Sequence, residues 1–259
     1  MNALLAAIEA HAADFGLVLA RTMGVYAVAP IIGDQQVPTR IRVTAAALTA
    51  AVLTPVAEAH AQPIALTMPE YVRLLSHGVL CGLLLGYVAS LFFAAVRFAG
   101  QLLDLQTGYN IAQIIDPSLG TRAAGLDKAH YLIGGLVFLG LDGHHWVLLG
   151  LGRSFQDVSW QSSLIGPGAL NSVAALAGVV IRGGLRIAAP AVGALFLVDV
   201  ILGLLARAMP QANMFIVGAP LRPLVGILTI GLAVSATVAV MVGVLGEIAP
   251  VLVELTSAP

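Results

Sequence analysis

An all-α, polytopic membrane protein is the fold this sequence predicts, and three observations predict it. Of the 259 residues, 59% are hydrophobic and only 10% are charged, against about 25% charged in an ordinary soluble domain. So few charges cannot cover the surface of a water-soluble chain of this size, and lipid or a large protein partner must cover the rest. The cleanest apolar run, Leu74 to Val96, lies between Arg73 and Arg97 with no charge inside, and crossing a bilayer takes about 20 residues. The short alternating strand signals of a membrane barrel are absent, so helices must pair the backbone groups that enter hydrocarbon.

The segments follow in order. The first apolar run, about Phe15 to Ile32, is interrupted by Arg21 and ended by Pro30 and Gly33-Asp34. Glu9, His11 and Asp14 precede it without a basic n-region, so it is expected to remain as a helix and not to be a signal peptide. Arg40 and Arg42 open a second run, Val43 to Val56, which is short for a span. Leu74 to Val96 is the third. A fourth, Ala129 to Gly152, contains Asp142, His144 and His145; a Ser-, Gln- and Gly-rich stretch, Ser159 to Gly168, follows it. The fifth, Ala169 to Ile181, is expected to end at Arg182-Gly183-Gly184. The sixth, Ile187 to Ala206, lies between Arg186 and Arg207, and the last runs from Leu224 to Gly246. No soluble domain or charged linker interrupts the series, so one domain over residues 1–259 is the expected organisation.

The distribution of charge is less orderly. Arg182 and Arg186 fall between the fifth and sixth segments, and Arg207 and Arg222 between the sixth and seventh. Consecutive loops face opposite sides, yet both are basic, so the positive-inside rule gives no orientation. Either some segments do not cross, or an assembly partly replaces the lipid; the second reading carries more weight. The net charge of -1 offers no basic field for nucleic acid. Cys81, the one cysteine, sits among Leu80, Gly82 and Leu83 and reads as a small buried hydrophobe. Lys128 is the one lysine.

Few residues suggest chemistry. His144 and His145 follow Asp142, but neighbouring side chains on a helix point about 100° apart and are not expected to converge on a metal. Asp199 interrupts the sixth segment and Arg207 ends it; these are the candidate buried charges, for which an ion pair or hydrogen bond is the expected role and a proton relay the alternative. Gly82-xxx-Gly86 and Gly231-xxx-Ser235 carry small-residue spacing that allows close helix packing, a weak signal in a chain with 28 glycines. No phosphate loop, nucleophile elbow or dinucleotide fingerprint is present, and no cofactor is implied.

The stretch Ala99-Gly-Gln-Leu-Leu-Asp-Leu-Gln-Thr-Gly-Tyr-Asn-Ile-Ala-Gln-Ile-Ile-Asp-Pro-Ser-Leu-Gly120 is the informative one. It is too polar to face lipid and too apolar for a solvated loop. Ile111, Ile114 and Ile115 recur at helical spacing, and Asp116-Pro117 and Gly120 break the pattern. A re-entrant or pore-lining element fits; an interfacial amphipathic helix is the alternative.

This stretch, followed by a hydrophobic helix and Leu141-Asp142-Gly143-His144-His145-Trp146, resembles the FliR family of flagellar export proteins. Two further blocks agree: Ala29-Pro30 with Val37-Pro38-Thr39-Arg40-Ile41-Arg42, and Leu202-Gly203-Leu204-Leu205-Ala206-Arg207-Ala208-Met209-Pro210-Gln211 with Asn213-Met214-Phe215 and Gly218-Ala219-Pro220-Leu221. Their order and spacing cover nearly the whole chain. The resemblance implies a non-enzymatic component of the type III export gate in the bacterial inner membrane, within the flagellar basal body. It implies bent helical hairpins that assemble with FliP and FliQ around a channel for unfolded flagellar substrates, with FlhA and FlhB nearby. Much of that fold is lifted out of the bilayer plane, which would account for the failed charge count. It also implies a plug from Gln106 to Arg122, with Gln106, Thr107, Gly108, Tyr109, Asn110, Ile111, Ala112, Gln113, Ile114, Ile115, Asp116 and Pro117 as its seal. Asp199 departs from the family, where an uncharged polar residue is expected. A virulence type III homologue and, further off, a small-molecule secondary transporter are the alternatives; the latter should show internal repeats, and none is convincing.

Overall fold

The computed structural model describes residues 2–34, 37–59, 67–108, 125–156, 167–211 and 213–254. Among them are seven α-helices and no strand: α1 (Asn2–Val28), α2 (Thr39–Glu58), α3 (Met68–Thr107), α4 (Leu126–Gly140), α5 (Gly143–Gln156), α6 (Pro167–Ala208) and α7 (Met214–Glu254). Four helical stretches are long and apolar enough to cross a membrane: Thr39–Glu58, Met68–Thr107, Ala174–Ala208 and Ile216–Val251. The all-helical membrane fold therefore stands.

Three boundaries differ from the sequence reading: the run Ala129 to Gly152 is two helices, α4 and α5, parted at Leu141-Asp142, and the other two differences each have a physical reason. The third helix does not stop at Val96. It runs on through Gln101, Asp104 and Gln106 to Thr107, giving 40 residues and a length of about 60 Å. Gln101, Leu105 and Gln106 are exposed while Leu103, Asp104 and Thr107 are buried, so the polar stretch continues the helix with a two-sided surface. The fifth and sixth segments are one helix of 42 residues, with Arg182-Gly183-Gly184 in its interior and Pro190 further along. The two glycines are not a break. A Cβ on Gly184 would lie 2.8 Å from the Ala95 carbonyl, and one on Gly183 2.6 Å from a Val244 methyl, so they are sites of close packing. The conflict over basic loops dissolves with this boundary: Arg182 and Arg186 are not in a loop.

The chain divides into two compact units, each discontinuous in sequence. The first comprises Met1–Leu91, Asp142–Leu176 and Glu247–Pro259. Within it, Gly78, Gly82 and Gly86 recur every fourth residue on α3 and meet the backbone of α1 near Leu17, Arg21 and Val25. The pairs ascend both helices together, so α1 and this part of α3 run parallel. A Cβ on Gly86 would lie 2.8 Å from the Val25 carbonyl, and one on Gly82 would overlap the Arg21 carbonyl. Gly82-xxx-Gly86 is thus a packing motif, extended one turn by Gly78. Tyr26 and Thr49 hydroxyls, 2.8 Å apart, join α1 to α2.

Arg21, the charge that interrupts the first segment, is fully buried in this unit. Its Nη1 donates to the Ser154 carbonyl and, at 3.2 Å, to Ser154 Oγ, and its guanidinium lies 4.6 Å from the centre of the Phe155 ring. A charged donor with a stacked aromatic face fastens α5 to α1; hydrogen bonds to charged groups contribute about 1.5–3 kcal/mol.

The second unit comprises Phe92–Leu141 and Ala177–Gly246. Here α3 and α4 run antiparallel: Phe92 and Phe93 meet Phe138, Val96 meets Gly134, Gly100 meets Asp127, and Asp104 meets Gly125. Phe93 also contacts Tyr131, whose ring lies under the Arg97 guanidinium at 4.4 Å and beside Lys128 Nζ at 5.7 Å. Helices α6 and α7 form an antiparallel pair, with Gly183 against Val244, Asp199 against Arg222 and Leu202 against Gly218.

Candidate functional site: the α3–α4 junction

The junction is built where α3 ends and α4 begins. Gly108 ends α3 with a left-handed φ of 81°, and its N–H donates to the Asp104 carbonyl at 3.1 Å. Glycine takes that conformation without a Cβ penalty and closes the last turn. Thr107, buried, donates its hydroxyl to the Leu103 carbonyl at 2.7 Å. Its methyl would lie 2.7 Å from a Cβ placed on Gly226 of α7, so α3 and α7 meet closely at this threonine.

A helix begins with backbone N–H groups that have no partner inside it. The residue before α4 is Gly125, which has no side chain to supply a cap. Asp104, 4% exposed, supplies it from the preceding helix. One carboxylate oxygen accepts from the Leu126 N–H at 2.6 Å and the other from the Asp127 N–H at 3.2 Å. An anion at a helix N-terminus also meets the positive end of the macrodipole. Gly125 is obligatory for this contact, because a Cβ there would lie 2.7 Å from Asp104 Cγ.

Of the expected plug residues, Gln106 and Thr107 belong to the last turn of α3, the first exposed and the second buried, and Gly108 caps it. Tyr109, Asn110, Ile111, Ala112, Gln113, Ile114, Ile115, Asp116 and Pro117 lie outside the described residues.

The candidate buried charges need a correction. Asp199 and Arg207 are both exposed on the surface of the chain. Asp199 Oδ1 accepts from Arg222 Nε at 2.8 Å, which meets the expectation of an ion pair, but the carboxylate is 48% exposed. Arg207 occupies the last turn of α6, where a cation complements the helix dipole. Position within an apolar segment told of distance from water, not of cover by the chain's own side chains.

The histidine pair also differs from expectation. Asp142, His144 and His145 have donor atoms within 4.8 Å of one another. Asp142 Oδ1 lies 3.2 Å from His145 Nδ1, and the two imidazoles stack with centres 4.3 Å apart. Asp142, which precedes α5, takes a left-handed conformation with φ 55°. His11, Asp14 and Glu58 form a second such group, in which His11 pairs with Glu58 at 3.2 Å. Burial and the Glu58 carboxylate push the Asp14 carboxyl above its ordinary value, and His11 opposes them.

Sequence reasoning passed over two residues that the structure makes central. Asp104 was only one polar residue of a polar stretch, and Arg21 only an interruption.

Residues 12–248 match the family described as bacterial export proteins, family 1. The chain belongs to that family. Three curated relatives agree, each a flagellar biosynthetic protein FliR. The one from Bacillus subtilis is 32% identical over 80% of this chain and 81% of its own length. That from Pectobacterium carotovorum is 31% identical over 82% and 80%. That from Escherichia coli is 30% identical over 81% and 79%. The resemblance read from the sequence is thereby established across most of the chain. As a member of the bacterial export proteins with four helices of spanning length, the chain resides in the bacterial inner membrane as a component of the export apparatus.

Proposed function

We propose that the chain is a structural and gating subunit of the flagellar type III export gate. In this reading it assembles with FliP and FliQ into the channel for unfolded flagellar substrates, with FlhB and FlhA nearby. Residues from Gln106 to Arg122 contribute the plug. The observation that carries the proposal is the α3–α4 junction. Its two ends are held together by a buried carboxylate, which fixes both roots of the stretch assigned to the plug. Uncovered apolar faces support the assembly. Phe196, Leu197, Ile201 and Leu204 on α6 and Ile227, Leu228 and Leu232 on α7 are all exposed, and lipid or partner helices must cover them. The relatives named above are all flagellar, which favours the flagellar system over a virulence one.

A seal must stop small ions yet yield to a polypeptide, so it needs reversible apolar contacts. Deleting Tyr109 to Ile115, sparing the cap at Gly108, should leave the complex assembled but leaky, seen as slowed growth or raised conductance when the gate is expressed. Polar replacement of Ile111 and Ile114 should leak in the same direction, but less. A deletion variant that assembles and stays as ion-tight as wild type refutes the plug. Expressed without its partners, the chain should aggregate or be degraded; a stable, homogeneous monomer in detergent would refute the assembly.

A further inference from the structure

Asp104 belongs neither to the stretch proposed as the seal nor to the exposed faces proposed to meet partners. An ordinary helix cap is local: the residue just before the helix bonds the N–H groups of its own first turn. The cap of α4 instead comes from 22 residues upstream, on another helix, and uses both carboxylate oxygens. The backbones approach closely here, since a Cβ on Gly100 would overlap Asp127 Cα, and Gly125 leaves its Cβ space to the carboxylate. Thr107 wedges the end of α3 against Gly226, and Leu126 lies 3.7 Å from the same glycine position. The carboxylate and Gly100 hold the two roots of the α3–α4 connection directly to one another, and Gly226 of α7 touches both.

We infer that Asp104 is a positioning residue: a non-covalent clasp that sets the spacing of the two roots, Thr107-Gly108 and Gly125-Leu126, and thereby where the plug is anchored. The clasp is a matter of the junction itself; its effect on ion tightness rests on the plug reading. A carboxylate suits the task because it offers only acceptors, one for each N–H. An amide offers a single oxygen and turns a donor toward the second N–H, so Asp104→Asn holds one root contact and loses the other.

The test uses the gate purified with its partners in lipid nanodiscs, together with conductance in cells. Hydrogen exchange of the Gly125–Lys128 amides reads the clasp directly. Asp104→Ala should speed it by about tenfold, the loss of roughly one well-formed hydrogen bond's protection, and raise ion leak; Asp104→Asn should fall between. The paired variant Asp104→Cys/Gly125→Cys should be leaky when reduced. Oxidised with diamide to a disulfide, it should return leak towards wild type. The buried Cys81 keeps the native thiol out of this exchange.

Unchanged amide exchange in Asp104→Ala overturns the clasp. Faster exchange with no added leak, while the Tyr109–Ile115 deletion does leak, overturns the positioning role and leaves a plain helix cap. If the deletion is itself ion-tight, the plug reading fails, and the clasp stands or falls on amide exchange alone. Should Asp104→Ala not incorporate, the cysteine pair decides: equal leak in both redox states overturns the inference.

Discussion

Helices α3 and α7 have the same mean hydropathy in their most apolar stretches, yet 61% of that stretch is buried within the chain for α3 and 17% for α7. Apolarity says that both leave water. What separates them is small and polar residues placed against a neighbour. On α3, Gly78, Gly82 and Gly86 lie on the backbone of α1, and Asp104 ties into α4. On α7, Gly231 has open space around its Cβ position, and both Gly231 and Ser235 are exposed. The same small-xxx-small spacing is a filled contact in one helix and an uncovered face in the other. One is a core helix of this chain, and the other presents itself to lipid or partners.

The sharpest way to break that comparison is to fill both glycines. Gly82→Leu should have the largest effect, because the atom in the way is a backbone carbonyl that cannot swing aside. Overpacking of this kind costs about 3 kcal/mol or more, and recovery of the variant with its complex should fall to background. Gly231→Leu should leave the chain's own fold intact. If Gly82→Leu is recovered at wild-type levels, the α1–α3 contact is not what holds the core.

Removing the fastening of α5 comes next. Arg21→Met keeps the length but leaves the Ser154 carbonyl without its charged donor, at a cost of about 2 kcal/mol. The thermal midpoint of the purified complex should drop, and Arg21→Lys should recover only part of it, because an ammonium is a compact point charge without the guanidinium's planar, stacking fork. An unchanged midpoint for Arg21→Met would show that the buried guanidinium contributes nothing net.

The smallest effect belongs to the exposed pair. Asp199→Asn keeps an acceptor for Arg222 and should change recovery and secretion little, about 0.5 kcal/mol or less. Asp199→Leu should be worse, since it leaves the cation on an apolar surface, and adding Arg222→Leu should restore assembly. Export abolished by Asp199→Asn with assembly intact would instead reveal a proton relay.

These residues also show how far the sequence could be read. The helices themselves were legible, because apolar runs of spanning length leave little choice. Their ends were not. Gln101, Asp104 and Gln106 read as the start of a loop, although a helix with one buried and one exposed side accommodates all three. Gly183-Gly184 read as a break, because glycine signals a turn whenever the neighbour that fills its space is unseen; here that neighbour is Ala95 and Phe98, far away in sequence. The failed orientation count followed from that single misplaced loop. Asp104 had no local signature at all, since its partners lie at the start of the next helix.

Lys128 is the one lysine in the chain, and it sits in the first turn of α4 beside the residue that Asp104 holds. Among side chains, amine-directed acylation therefore has a single address, at the rim of the Tyr131 ring. Mass-resolved labelling of the native, unmutated subunit at graded reagent doses would give one rate constant, and that constant would follow the surroundings of α4's first turn as the apparatus rests or secretes.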